Sequence, residues 1–237
     1  MHGKNSTVLM NQYNLSTYIT SVSISTEAEL GDTTGFQPTS DGRTFEAGLN
    51  SGSLSLSGFL SAADGAPDKR VGQVLGGSGL VFSVGPTLFT TLGDPARLIV
   101  GQKTSANDES DRESVVTDSY EFTASGPVGF GHVYKTLGAT SASADGTAIN
   151  NGAATAGGGV GHIHATVITG SPTIDSLIQD SADGSTFATI LTFTQLAAAG
   201  SERKSTATGA AVRQYVREKR TFGGSGSMTY AVTFART

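Results

Sequence analysis

The stretch 228–234 alternates without a break, with Met228, Tyr230, Val232 and Phe234 on one side of an extended chain and Thr229, Ala231 and Thr233 on the other. A period of two does not fit a helix and predicts a half-buried antiparallel strand. The same signature recurs at Leu54 and Leu56 between serines, where Gly58 predicts a bulge, and at 118–124, where Tyr120 and Phe122 point inward. Further strands are expected at 19–24, 97–100, 162–168, 190–193 and 212–217. Turn signals separate them: Ser40-Asp-Gly, Asn50-Ser-Gly, Ala63-Asp-Gly, Ala144-Asp-Gly, Asn150-Asn-Gly, Ala182-Asp-Gly and Gly223-Gly-Ser-Gly. This spacing predicts an all-β chain, an antiparallel sandwich or barrel. One short flanking helix is expected from Pro67 to Leu75, with Val71, Val74 and Leu75 on one face and Gly76-Gly at its stop. A weaker helical signal lies at 196–199.

With 237 residues the chain is long enough to bury a core without staples. It has no cysteine, which excludes a disulfide framework, thiolate metal sites and a cysteine nucleophile. Gly numbers 32 and charged residues are only 15%, so Ser, Thr, Ala and Gly must cover much of the surface. No apolar run is long enough for a signal peptide or a membrane span, and synthesis in the cytoplasm without a membrane anchor is expected. Asn5-Ser-Thr and Asn14-Leu-Ser fit the glycosylation sequon only as chance in a Ser/Thr-rich chain.

Charge is unevenly spread. Residues 1–201 carry a net −10, and the last 36 residues a net +5. The asymmetry fits subunit contacts, where complementary potentials set register, and equally fits neutralisation within one chain. An acidic balance argues against gripping a nucleic-acid backbone.

Three regions are expected: a β-sandwich unit at 1–137, a Gly/Ala/Ser-rich loop or linker at 138–161, and a C-terminal β unit at 162–237 that is separate or packed into the same domain. Residues 52–65 and 173–184 share a strand running into a Ser-Ala-Asp-Gly-like turn, and 120–125 resembles 230–235. An internally duplicated β unit and convergent strand composition both account for this.

No catalytic constellation emerges. His162 and His164 share a strand face and could reach one metal, with Asp180 and Asp183 as further candidates by type, but rim histidines on a strand are the simpler expectation. His132 is a strand residue after a glycine turn. The glycine clusters at 76–79 and 157–161 do not open a helix, so they cannot cradle phosphate, and no nucleophile elbow has a partner histidine. Asp108, Glu109, Asp111, Glu113 and Asp118 read as a solvated loop rather than as glycosidase acids or a calcium loop. Arg213, Tyr215, Arg217 and Lys219 fall on one strand face, with Arg220 beside them, as a subunit interface or a solvated face; with one aromatic they make a poor nucleic-acid surface. No cofactor and no metal are expected.

Several segments together resemble bacteriophage tail tube (major tail) proteins and related virion proteins. They are 7–25, Gly31-Asp-Thr-Thr-Gly-Phe and 45–58 in the first half, and 178–187, Leu191-Thr-Phe-Thr, Arg213-Gln-Tyr-Val-Arg and Val232-Thr-Phe-Ala-Arg in the second. The resemblance implies a tail-tube sandwich or barrel whose subunits join into rings of three or six chains that stack into a tube. The implied partners are the chain itself, other tail proteins, and DNA that passes through the lumen without specific binding. The implied location is the virion tail, after synthesis in the host bacterial cytoplasm. It further implies that the loop at 29–43, with Glu29, Asp32, Phe36 and Arg43, reaches between rings, and that the chain is no enzyme. Arg213, Tyr215, Arg217, Lys219 and Arg220 are the second expected interface. The alternative from another class is a virion decoration or carbohydrate-binding β-sandwich, which the lack of tryptophan disfavours.

Overall fold

A computed structural model describes residues 5–34, 43–61, 63–64, 66–71, 76, 79–109 and 116–237. The strands are β1 (Thr7–Met10), β2 (Tyr13–Asn14), β3 (Ile19–Asp32), β4 (Phe45–Phe59), β5 (Leu80–Gly85), β6 (Pro95–Glu109), β7 (Thr117–Ala124) and β8 (Gly129–Thr140). They continue with β9 (Ala144–Asp145), β10 (Ile149–Asn150), β11 (Gly159–Ser181), β12 (Ala188–Thr192), β13 (Gly200–Ser205) and β14 (Tyr215–Arg236). The helix α1 spans Pro67–Val71; its expected continuation through Leu75 lies outside the described residues. All strand pairings are antiparallel, so the all-β expectation holds.

The main strand order is β12-β11-β14-β8-β6-β5-β1-β2, and a branch runs β3-β4-β7-β6. β5 lies four strands from β11 in that order, which in a flat sheet is about 19 Å at ~4.8 Å per strand. Yet the His162 ring on β11 lies 3.0 Å from the Phe82 carbonyl on β5. The sheet therefore curls back on itself.

Three apolar clusters follow from that curl. Leu9, Phe89, Ala96, Leu98, Val133, Val160, Ala231 and Ala235 fill its inside. On one outer side Val8, Met10, Phe82 and Val84 meet Leu54, Leu56, Tyr120 and Phe122 of the β3-β4-β7 branch. On the other, Tyr134, Ile163, Val232 and Phe234 are covered by Leu191, Phe193 and Val212. β1, β5 and the end of β14 are thus buried on both faces, and the half-buried strand expected at 228–234 is a central one: Ala231 and Thr233 are as buried as Tyr230.

Other differences have local causes. Residues 223–226 form no turn but run in mid-strand, Gly223 to Gly226 pairing with Thr173 to Gly170. Gly170 and Gly226 face each other with φ of 81° and 107°, and a Cβ on Gly226 would strike the Thr169 carbonyl, so the paired strands adopt there a backbone that favours glycine. The bulge expected at Gly58 sits opposite it, with Thr20 as the extra residue of β3. Residues 196–199 are not helical; Leu196 makes a bridge with Ile174. Within 138–161 lie the end of β8, then β9 and β10, both paired to β14, and the start of β11.

Candidate functional site

The β3-β4-β7-β6 branch is a small sheet with two very different faces. Residues opposite one another in the ladders share a face. Rows Val22/Leu56/Tyr120 and Ile24/Leu54/Phe122/Lys103 look inward, while Ala106, which continues the first row on β6, is exposed. Lys103 is buried with its ammonium 5.1 Å from the centre of the Tyr120 ring, and burial lowers its pKa. Rows Ser21/Ser57/Ser119/Asn107, Ser23/Ser55/Glu121/Ser105 and Ser25/Ser53/Thr123/Gln102 look outward. The Ser55 hydroxyl bonds the Glu121 carboxylate within one such row. The basic residues of these four strands are Arg97, which stacks on Phe130, and the inward Lys103. The outer face therefore carries small hydroxyls and the carboxylates of Glu27, Glu109 and Glu121, and no cation.

Both edges of this sheet are open among the described strands. β3 pairs with β4 alone. Beside β3 runs a cleft of about 580 Å³ floored by Val8, Ile19 and Val22. It continues past Ile24 and Val84 to Arg97. At the opposite edge the Gly76 N–H reaches the Lys103 carbonyl, and from there to Glu109 β6 pairs only with β7. Unpaired edges are templates for another strand.

Beyond Ser53, β4 loses its pairing with β7 and continues with β3 as a two-stranded arm whose root lies against Val128. Eight residues at ~3.3 Å make it about 25 Å long. Leu30, Phe45 and Leu49 are 65%, 53% and 80% exposed on it. Glu29 is exposed, and Asp32 lies 3.8 Å from Arg43. Hydrogen bonds from Thr34 hold the Asp32 carboxyl below its usual range. Phe36 lies outside the described residues.

The basic cluster of β14 is engaged within its own chain. Arg213 bonds the buried Asp180 through its guanidinium, at 2.7 and 2.9 Å, and through its backbone N–H. Arg217 bonds Gln179 and Asp145 and lies 3.9 Å from the centre of the Phe187 ring. Lys219 is 3.4 Å from Asp145, and Arg220 is 3.1 Å from Glu218. Tyr215 opens β14, half-buried beside Gly184. Glu218 is fully buried, and that burial raises its pKa, while Tyr230, Arg220 and Ser176 stabilise its charge. Alternation places Glu218 on the same face as Val212 and Val216, which are core residues, and that was the signal for this inward carboxylate.

The histidines are the sharpest correction. His162 and His164 are not at a rim but have no exposure at all, and Ser83, Phe82 and Asn11 contact them from across the curl. Burial drives both pKa values down, that of His164 to about 4. Asp180 and Asp183 do not join them: Asp180 holds Arg213, and Asp183 accepts N–H bonds from Ser185 and Thr186 in the turn before β12. Among the described residues no group of three His, Asp or Glu gathers around one point. Of the acidic run, Asp108 and Glu109 end β6, Asp118 is buried beside the Tyr120 hydroxyl, and Asp111 and Glu113 lie outside the described residues.

No family model and no curated protein matches the chain. Solved structures do. A chain from the virion of a native gene transfer agent particle is 20% identical with a TM-score of 0.44, covering 55% of this chain and 98% of that one. The SPP1 tail tube is 16% identical with a TM-score of 0.41, covering 53% and 76%. The SPP1 Dit protein, a hub of the adsorption apparatus in phages infecting Gram-positive bacteria, is 11% identical with a TM-score of 0.39, covering 97% and 98%. The likeness to the first two spans about half of this chain, and the likeness to the third nearly all of it.

Proposed function

We propose that this chain is a structural subunit of a phage-like tail that joins copies of itself side by side into rings of three or six, and that the rings stack into a tube through which DNA passes. The observation that supports it is the β3-β4-β7-β6 sheet, open at both edges and free of cations on its outer face. Joining the β3 edge of one copy to the β6 edge of the next is a head-to-tail contact, which closes into a ring when the rotation allows. The hydroxyl and carboxylate face would then line the lumen. Phosphates find no Lys or Arg to hold them there, so DNA slides.

The arm supplies the contact between rings. Glu29, Asp32 and Arg43 lie on it or at its end, Phe36 belongs to the same expected segment, and Leu30, Phe45 and Leu49 are the apolar anchors such a contact needs. The basic strand takes a lesser part. Arg217 and Arg220 are largely buried against their own chain, and Arg213 and Lys219, at 38% and 39% side-chain exposure, are the charged members more open to a neighbour.

Electron microscopy of the purified protein across a concentration and salt series tests this, beside Ser23→Lys, which sets a charge on the β3 edge. Rings or hollow tubes are expected from the wild type. The variant should give monomers with an unchanged melting curve. Wild-type monomers at every concentration would overturn the assembly, and rings of undiminished yield from the variant would exclude the β3 edge. Isolated rings that never stack would favour a hub over a tube.

A further inference from the structure

We propose that His162 and His164 form an acid-operated joint between the two halves of the chain: when protonated, they release the β11-β14 ribbon from the β1-β5 layer while the β3-β4-β7 sheet stays folded. The geometry of the curl carries the argument. Both rings point from β11 into its inside, with centroids 6.1 Å apart. Each spans the seam to the other side. His162 Nδ1 lies 3.0 Å from the Phe82 carbonyl, and His164 Nδ1 lies 2.7 Å from the Asn11 carbonyl. A carbonyl only accepts, so both Nδ1 atoms carry the proton. His164 Nε2 then accepts from the Ser83 hydroxyl at 2.9 Å, and Ser83 accepts from the Thr233 hydroxyl at 2.9 Å. With two neutral imidazoles the network gives three of the four ring nitrogens a partner, His162 Nε2 being the exception among the described residues.

It has no room for a further proton. His162 Nε2 is buried and has no partner among the described residues. A proton on His164 Nε2 would force the Ser83 hydroxyl to turn and break its present bond. Among the described residues that face the rings, none compensates a charge. β1, β5 and the facing part of β14 bring no ionisable group; β2 brings Tyr13, whose hydroxyl accepts from Gln12. β13 brings Arg203 directly opposite His162, a cation that opposes a second one. Its neighbours Glu202 and Lys204 are held by Thr194 and Thr192. Two like charges side by side in an apolar interior cannot both persist, so the seam opens to water.

The direction follows from linkage. A histidine whose folded pKa lies below its open-state value of about 6.5 stabilises the closed joint above that pH and loses the contribution as pH falls toward the folded value. For His164 the window runs from 6.5 down to about 4.

Amide hydrogen exchange on the full chain between pH 7.5 and 4.5, corrected for the intrinsic pH dependence, tests the joint. Opening at 80–85 and 159–165 should rise roughly tenfold per histidine between pH 6.5 and 5, with 53–57 and 117–124 unmoved. The doubly substituted His162→Asn, His164→Asn keeps an amide donor near each Nδ1 position without titrating, and its profile should be flat. A flat wild-type profile, or a variant that opens like the wild type, overturns the proposal. Should the variant fail to fold at pH 7.5, the wild-type imidazole resonances decide: they should stay neutral until the joint opens, and a pair that titrates near 6.5 with the joint closed sinks the idea.

Discussion

Two long antiparallel ribbons dominate this chain, and they are finished in opposite ways. β11 and β14 pair from Gly159 with Arg236 to Ser181 with Tyr215, and nearly every group they bring inward finds a partner in the same chain. Glu218 accepts from Tyr230 at 2.7 Å, Ser176 at 3.2 Å and Arg220 at 3.1 Å; Asp180 holds Arg213. β3 and β4 pair from Ile19 with Gly58 to Asp32 with Phe45, but only the part near Val22, Ile24, Leu54 and Leu56 touches a core. The rest offers a free edge, a serine face and exposed Leu30, Phe45 and Leu49. A ribbon completed within the chain contributes to stability, whereas one left incomplete stores its binding capacity for another surface. Substitutions in the two ribbons should therefore separate folding from assembly.

The widest separation is expected at Phe234. Its ring is buried and meets Tyr134 edge-on with centroids 6.1 Å apart. Phe234→Ala should lower unfolding stability by about 3–5 kcal/mol, read by urea denaturation. A loss under 1 kcal/mol would mean that the second ribbon is not the rigid part of the molecule.

Glu218→Ala comes next, at about 3 kcal/mol, because it leaves the Tyr230 hydroxyl, Ser176 and Arg220 facing a vacated site. Glu218→Gln, which keeps an acceptor, should recover more than half of the loss. Equal losses from both would show that the charge on the Arg220 pair matters more than the hydrogen bonds.

These buried groups also mark where the sequence stopped being legible. Alternation at 228–234 located a strand and its two faces correctly, because a period of two fixes which residues share a side. It does not say which side is inward, and in a three-layer arrangement both can be. Hence Thr233 and Ala231 looked solvated, and His162 and His164 looked like rim residues, although Val160 on the same face already belongs to the inner cluster. Glycine misled in the other direction: Gly223 to Gly226 has turn composition, but a close, positive-φ stretch inside a paired ribbon uses the same conformations. The arm was not legible: strands were expected only at 19–24 and around Leu54 and Leu56, with 29–43 as a loop and Asn50-Ser-Gly as a turn. Yet β3 and β4 run on to Asp32 and back from Phe45 with Asn50 and Gly52 in mid-ladder, because Asn, Ser and Gly suit a turn and a water-covered strand alike. The basic strand was read with two outcomes open; its partners Asp145 and Asp180 lie too far away in sequence for spacing to have paired them, whereas Glu218, two residues before Arg220, was within reach of the same alternation.

Arg217→Glu tests the basic strand on its own. The guanidinium lies on Phe187 and bonds Gln179 and Asp145, so reversal removes the stacking and places a carboxylate beside Asp145. A loss of about 1–2 kcal/mol in the monomer is expected. Ring yield at equal folded fraction should change little, since these charges face their own chain. A larger fall in ring yield than in stability would return this strand to the interface.

The smallest effect on folding, and the sharpest contrast, is expected at the arm. Leu49 is 80% exposed and belongs to no apolar cluster, so its side chain gives almost nothing to the isolated fold. Leu49→Ser should change monomer stability by less than about 0.5 kcal/mol. If the arm docks on a neighbouring ring, the same leucine becomes buried, and its removal forfeits roughly 1.5–3 kcal/mol at each contact, a loss repeated at every subunit along the tube. Tubes should then shorten to single rings under conditions where the wild type stacks, with the melting curve unmoved. Phe234→Ala makes the opposite pattern: it lowers the melting curve first and reduces tubes only as the folded fraction falls. If Leu49→Ser stacks as well as the wild type, the arm's exposed leucines are not the anchors, and stacking must use the part of the loop that carries Phe36.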